Sequence, residues 1–474
     1  LTVIEGVMGF YDGLSGISEK ASTYDVARLT KTPVLLVVDG KGASVSLAAL
    51  IRGIRDYRED SHIAGVLLNR VSPAYYERIK AVIEKECELP VLGYLPELSV
   101  LSVPSRHLGL LQPEELAGFD TWITEVRDAL EKTVDFEGIL AVAETAPELQ
   151  TGESGSLPVL STKVRIALAQ DEAFSFFYEE NRKLLEKMGA EVCPFSPIHD
   201  QELPEETDGL ILPGGYPELY AEALSENHSM RNQVRKACER NMPVLAECGG
   251  FLYLQKNLTY EGKTFDMAGA LEGEGFQTKS SVRFGYLDAA AEKPGLLGDA
   301  GVSIRGHEFH YFDCSNNGDG FTAKKPLSDK SYPCMIYTAH MAAGFPHFYY
   351  ESNPEMLYSF LRACESYRAG RLAKKHLDSI AKPLDSLGLL EDMVVKLCRI
   401  GRSEKPYPLE KRALLVLCAD HGVVEEGVTQ TDSSVTRVVA ENFAKGNSTV
   451  NYMAEVAGVD VYPVDAGMKG DCCR

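Results

Sequence analysis

The chain is short of positive charge. Its 474 residues carry 48 Lys and Arg against 69 Asp and Glu, a formal net charge of −21. Binding to a phosphate backbone needs a basic face, so nucleic acid is excluded as a main partner, although a local basic pocket for a small anion is not. No apolar run reaches the ~20 residues that span a bilayer and no secretory signal is present, which excludes a membrane-spanning helix. The 11 cysteines (87, 193, 238, 248, 314, 334, 364, 398, 418, 472 and 473) include no C-x-x-C pair. Odd in number and scattered, they define neither a disulfide framework nor a zinc site, and they fit a reducing cytoplasm. There is no G-x-x-x-x-G-K-[ST] phosphate loop, and Asp39-Gly40-Lys41-Gly42 does not have its spacing. An initiating Met is also absent. The apolar start Leu1-Thr2-Val3-Ile4 and the end at Arg474, just after a strand-like run, read as cuts through domains.

What is present is ordinary soluble α/β protein. Hydrophobic content is 45% and charged content 25%, and the length suits about three domains. Residues 1–145 alternate strand and helix signals. The apolar runs 33–39, 63–69 and 90–95 read as buried parallel strands, and 44–58 and 73–85 as the helices that cover them. Ligands on such sheets sit beyond the strand C-terminal ends, where Glu5, Asp39 and Asn69 fall. A polar Gly/Ser/Pro stretch, 146–162, reads as a linker. A second α/β domain spans 163–365, its first helix over 173–188 and ended by Gly189. A basic stretch, 366–375, reads as a second linker, and 376–474 as a third α/β segment.

The most informative stretch is Pro243-Val244-Leu245-Ala246-Glu247-Cys248-Gly249-Gly250-Phe251-Leu252. A short apolar strand runs into a cysteine on a tight turn and then into a helix, the pattern of a nucleophile elbow. The expectation is a cysteine exposed at the strand end, with helix-terminal N–H groups favouring its thiolate. The strand ending in Gly214-Gly215 offers N–H groups that, with Gly249, could hold an oxyanion. His347, in Phe345-Pro346-His347-Phe348-Tyr349, supplies a base. By residue type alone it would be a core histidine, and its place in the pattern favours the base. In Gly306-His307-Glu308-Phe309-His310 the aromatic density predicts a strand with Glu308 and His310 on one face and His307 on the other, which is no zinc-helix motif.

Residues 1 to about 365 resemble the cobyrinic acid a,c-diamide synthase family of glutamine amidotransferases. The resemblance rests on Glu5-Gly-Val-Met-Gly-Phe-Tyr-Asp-Gly13, Gly65-Val-Leu-Leu-Asn-Arg70, Leu92-Gly-Tyr-Leu-Pro96, Arg106-His-Leu-Gly-Leu110, Gly214-Gly-Tyr-Pro-Glu-Leu219, Ala246-Glu-Cys-Gly-Gly250 and Gly306-His-Glu-Phe-His-Tyr311. It implies an incomplete P-loop-type parallel-sheet synthetase domain and a class I glutamine amidotransferase-like domain. It also implies that Cys248 attacks glutamine with His347 moving protons, and that ATP activates corrinoid carboxylates for ammonia to displace. Glu5 would hold Mg²⁺, and Asp12 and Asn69 would serve nucleotide or substrate.

The family's phosphate loop is not in this sequence, so ATP binding by this stretch alone is not expected. Where many relatives of this class place Glu two residues after the histidine, this chain has Tyr349, which leaves the third triad member unassigned. Residues 376–474 resemble the N-terminal part of nicotinate-nucleotide–dimethylbenzimidazole phosphoribosyltransferase through Ala419-Asp-His-Gly-Val-Val-Glu-Glu-Gly-Val428, with Asp420, His421 and Gln430 as its site residues. That family's catalytic glutamate has no counterpart before Arg474. Other readings are amidation of hydrogenobyrinate or nickel sirohydrochlorin, and a non-catalytic corrinoid-binding scaffold. Homo-oligomerisation is left open.

Overall fold

A computed structural model describes residues 2–98, 105–106, 109–110, 118–149, 152, 155–405 and 410–470. In the Arg106–Leu110 stretch of the resemblance, His107 and Leu108 therefore lie outside the described residues. Contacts divide the chain into two units, Leu1–Arg371 and Leu372–Arg474.

In the first unit the strands Val34–Asp39, Ile63–Asn69 and Val91–Leu95 form a parallel sheet in sequence order. Asp39, Asn69 and Leu95 share one register row at its C-terminal edge. Helices Ser46–Asp56 and Pro73–Cys87 pack on it, burying Leu47, Ile51, Ile79 and Ile83 against Leu36, Val38, Val66 and Leu68. The second begins with Pro73 in its first turn, where the missing N–H costs nothing. Val34–Asp39 is covered on one face only: Leu36 and Val38 are buried, but Val37 is 64% exposed. As an edge strand with one neighbour it differs from the doubly buried strand its composition predicts. Residues 2–7 form no strand, so Glu5 lies on an exposed irregular segment and not at a strand end.

The elbow belongs to a six-stranded sheet. Its order is Ile336–Tyr337, Met341–Gly344, Val244–Glu247, Gly209–Leu212, Val164–Ala169, Ala190–Phe195. All neighbours are parallel except the first pair. Val244–Glu247 and Gly209–Leu212 are buried at every position, as strands covered on both faces are. The helix expected over 173–188 is shorter, Glu179–Lys187. Its first half is instead a turn, in which the Asp171 carboxylate accepts from the N–H groups of Ala173 and Phe174. Phe176 then bridges to Gly214.

A five-stranded antiparallel sheet adds Ser331–Cys334, Phe321–Lys324, Arg283–Ala291, Ser303–His310 and His347–Phe348 in that order. Glu308 and His310 share its buried face and His307 lies on the other, as the strand reading requires.

The stretch 366–375 is helical, and the division between the two units, after Arg371, falls inside it. It lies inside the helix Pro354–Ser379, tied to the first unit where Arg371 Nη2 meets the buried Asp208 carboxylate at 2.8 Å. With only Gly370 to weaken it, the sequence there continues the helix. The second unit pairs Ala413–Cys418 with Asp460–Asp465 in parallel, flanked by helices Leu389–Gly401, Ser434–Ala444 and Thr449–Ala457. Leu415 and Leu417 are largely exposed.

Candidate active site

Cys248 follows the elbow strand with φ +45° and ψ −102°, a backbone conformation that a residue with a side chain seldom adopts. The surroundings enforce it. Cys248 N–H donates to Gly344 O (2.8 Å) and Gly250 N–H to Pro213 O (2.9 Å). A Cβ on Gly250 would lie 2.0 Å from Leu212 O, so the reversal into the helix Gly249–Leu254 needs glycine there.

His347 reaches the same place by another route. Met341–Gly344 runs beside the elbow strand with Gly344 opposite Glu247. The chain then leaves through Phe345-Pro346, and His347 pairs with His307 in the second sheet. His307 stacks on the His347 ring at 4.9 Å, Phe176 meets it edge-on at 4.8 Å, and Tyr178 Oη lies 3.2 Å from His307 Nδ1. A Cβ at Gly214 would fall 2.3 Å from His347 Cε1, so the ring sits directly on that glycine. His347 Nδ1 is buried with no hydrogen-bond partner, 3.7 Å from Glu247 Oε2.

Two expectations need correction. Cys248 is buried, not exposed. Burial, followed by the Glu218 carboxylate, holds its thiol well above the usual range, with the Gly249 N–H pulling the other way. The resting group is a thiol that needs a base. His347 is suited to that role, since burial lowers it to about 4 and keeps its ring neutral. The expected oxyanion set of Gly214, Gly215 and Gly249 also loses a member, because Gly214 N–H already donates to Phe176 O (3.2 Å). Gly215 and Gly249 remain side by side: a Cβ on Gly249 would lie 2.9 Å from Gly215 N.

Composition and motif reading passed over Glu247, Glu218 and the aromatic wall around His347. For Glu247 the signal was available, as a charged side chain in a strand otherwise apolar enough to be buried throughout.

The other candidates are more open. Asp12 lies beneath Gly9, whose N-terminal loop borders a cavity of about 1200 Å³ lined also by Tyr11, Lys20, Tyr24 and Arg58. Asn69 Oδ1 accepts from Arg70 N–H (3.0 Å). Glu5 is exposed and enters no ion pair among the described residues, so its carboxylate is available to a cation. In the second unit His421 Nδ1 accepts from Val423 N–H (3.1 Å) and caps the following turn. Asp420 Oδ2 accepts from Lys469 N–H (2.7 Å), while its Oδ1 is buried without a partner. Gln430 is exposed.

Residues 165–331, which hold this buried cysteine on its strained elbow, match the CobB/CobQ-like glutamine amidotransferase domain. That match stops before His347, so the histidine rests on the geometry. Residues 1–105 match an AAA domain, and 365–473 a phosphoribosyltransferase domain.

The chain belongs to the cobyrinate a,c-diamide synthase family. It is 38% identical over 371 residues to the cobyrinate a,c-diamide synthase of Caldanaerobacter subterraneus, covering 77% of this chain and 81% of the relative. It is also 38% identical to that of Salmonella typhimurium, covering 77% and 80%. A nicotinate-nucleotide–dimethylbenzimidazole phosphoribosyltransferase structure from Thermus thermophilus overlaps 22% of this chain and 32% of its own at 35% identity, with a TM-score of 0.19. Among the described residues no helix is long and apolar enough to cross a membrane.

Proposed function

We propose that this chain amidates the a and c carboxylates of cobyrinate, or a close corrinoid, with glutamine as nitrogen donor and ATP as activator, in the cytoplasm. The supporting observation is the Cys248 elbow at φ +45°, whose preceding residue Glu247 lies 3.7 Å from the buried neutral His347, in a chain 38% identical to named cobyrinate a,c-diamide synthases.

His347 takes the thiol proton as Cys248 Sγ bonds the glutamine side-chain carbonyl carbon. It then gives that proton to the amide nitrogen as the C–N bond breaks, releasing ammonia and leaving a thioester for water to open. Gly215 and Gly249 stand where backbone donors meet the oxyanion. Bound Mg²⁺ would neutralise ATP phosphates, with Glu5 as its protein carboxylate and Asp12 and Asn69 toward nucleotide or substrate. In the second unit, Asp420 with its open Oδ1, together with His421 and Gln430, would face the ligand of a phosphoribosyltransferase site. The chain spans about a third of the Thermus thermophilus enzyme it overlaps there.

The test is incubation of the protein, supplied with the phosphate loop absent from this sequence, with Mg-ATP and cobyrinate, using glutamine or free ammonia. Cys248→Ala should lose amidation with glutamine and keep amidation with ammonia. Retained glutamine use would defeat the assignment, and preferential amidation of nickel sirohydrochlorin or hydrogenobyrinate would correct the substrate.

A further inference from the structure

Two residues after His347 stands Tyr349, which is 42% exposed and cannot act as a carboxylate. We propose that Glu247, the residue immediately before the nucleophile, is the positioning carboxylate of His347 and so completes a Cys248–His347–Glu247 relay. The proposal deepens, and rests on, the reading of Cys248 and His347 as the glutamine site.

Three observations carry it. The first is contact. Glu247 Oε2 lies 3.7 Å from His347 Nδ1, and that nitrogen is buried with no hydrogen-bond partner. A gap of this size closes readily when substrate tightens a site. The second is fixation. Glu247 is paired opposite Gly344 in the sheet interior, and its Oε1 accepts from Phe348 N–H at 3.3 Å. One oxygen thus holds the backbone beside the histidine while the other faces the ring. The third is the lack of any other purpose for the charge. The ionisable groups felt around Glu247 include Tyr178, Tyr350 and Cys248, none of them a cation, and Asn181 is occupied with Phe348 O and Tyr350 N–H. No Lys or Arg ion pair reaches Glu247 among the described residues. A buried carboxyl with no cation is poor structural glue, and an apolar side chain would pack the strand better.

Strand alternation explains how neighbours in sequence serve different sides of one ring. Cys248 packs with Ala246 and Val244 in one core, while Leu245 packs in the other, so Glu247 leaves the strand on the side away from the thiol. Accepting Nδ1–H there would fix the tautomer that leaves the Nε2 lone pair for the thiol proton. When ionised, Glu247 would also stabilise the imidazolium that exists between proton uptake from sulfur and proton delivery to the departing ammonia. Nothing is consumed at Glu247: the proton gained at Nε2 is returned to nitrogen.

The experiment uses the full chain as wild type, Glu247→Gln and Glu247→Asp. It measures glutamate release, and the rate of Cys248 alkylation by iodoacetamide from pH 5 to 9. Glu247→Gln should lower kcat by about 10- to 1,000-fold with little change in KM, and should move the alkylation pH profile. Glu247→Asp should recover part of kcat. Wild-type kcat and an unmoved profile in Glu247→Gln would overturn the proposal. Should Glu247→Gln not fold, Glu247→Asp decides: a lowered kcat with a moved profile supports the relay, and wild-type behaviour overturns it. If the wild type releases no glutamate, the amidotransferase reading fails on its own. The alkylation profiles then still rule on whether Glu247 acts on His347, an unmoved profile overturning it and a moved one supporting it.

Discussion

The two candidate site edges in the first unit are built on opposite principles. Around Cys248 the reacting groups are buried: burial raises the thiol and the Glu247 carboxyl, the latter to about 8, and lowers His347, His307 and His310 to about 4. At the ends of Val34–Asp39 and Ile63–Asn69 the charges stay in water, held by exposed ion pairs such as Asp39 with Arg70 and Lys41 with Glu97. Pairs of that kind contribute little to stability. A dry site carries its chemistry in its own side chains and is sensitive to each. An open edge keeps its charges in water and tolerates more change.

The sharpest test of that contrast is loss of the nucleophile. Cys248→Ala should reduce glutamate release by at least about 10³-fold, and His347→Asn by a comparable factor, because groups in one relay fail together. Asn69→Ala should leave glutamate release within about 2-fold, as an open position apart from the relay. A matching loss in Asn69→Ala would break the comparison.

Acid comes next. His347, His307 and His310 are held near 4 in the folded protein, below the ordinary 6.5. Their contribution is fully present above pH 6.5 and is lost as pH falls toward 4, by about 3 kcal/mol each at most. Glu247 has the opposite sign. Its folded value of about 8 lies above the ordinary 4.5, so it favours folding as pH falls from 8 to 4.5. Urea midpoints of wild type should therefore drop between pH 6.5 and 4, and Glu247→Gln should drop more steeply. Equal slopes in the two proteins would mean that Glu247 is not held protonated.

A smaller effect separates packing from chemistry at the same site. Gly214→Ala would put a methyl 2.3 Å from His347 Cε1. Overpacking of this kind costs about 1–3 kcal/mol, and the displaced ring should lower kcat by roughly 10-fold with little change in KM. An unchanged kcat would show that the ring can shift without consequence.

How far the sequence exposes these features follows from how local each is. The elbow was legible because strand, cysteine and paired glycines are contiguous, and the strand face shared by Glu308 and His310 followed from period-two alternation. The burial of Cys248 was not, since the Gly214–Tyr216 turn and Glu218 that cover it come from a loop some thirty residues upstream. Nor was the loss of Gly214 as an oxyanion donor, which depends on Phe176 crossing to bond it. The partner of Glu247 lies a hundred residues on, and only the pairing of Met341–Gly344 with the elbow strand brings it near. That the 366–375 stretch is helical was not legible either, since Asp208, which Arg371 meets, is distant in sequence.

The gentlest change should distinguish the open edge from the dry one by its sign. Gly53 lies inside the helix Ser46–Asp56, exposed, and a Cβ there meets nothing within 4 Å. Its φ is not among the positive values, so alanine fits the existing backbone. Replacement narrows the unfolded chain's freedom and improves helix propensity without any new contact, a gain of about 0.5–1 kcal/mol. Thermal unfolding of Gly53→Ala, followed by a probe of the N-terminal sheet, should shift upward by a few degrees, with glutamate release unchanged. Destabilisation would mean that the open face of this helix is in fact occupied. The same Gly-to-Ala exchange would then raise stability at neither edge, and the division between a packed site and an open one would not hold at this helix.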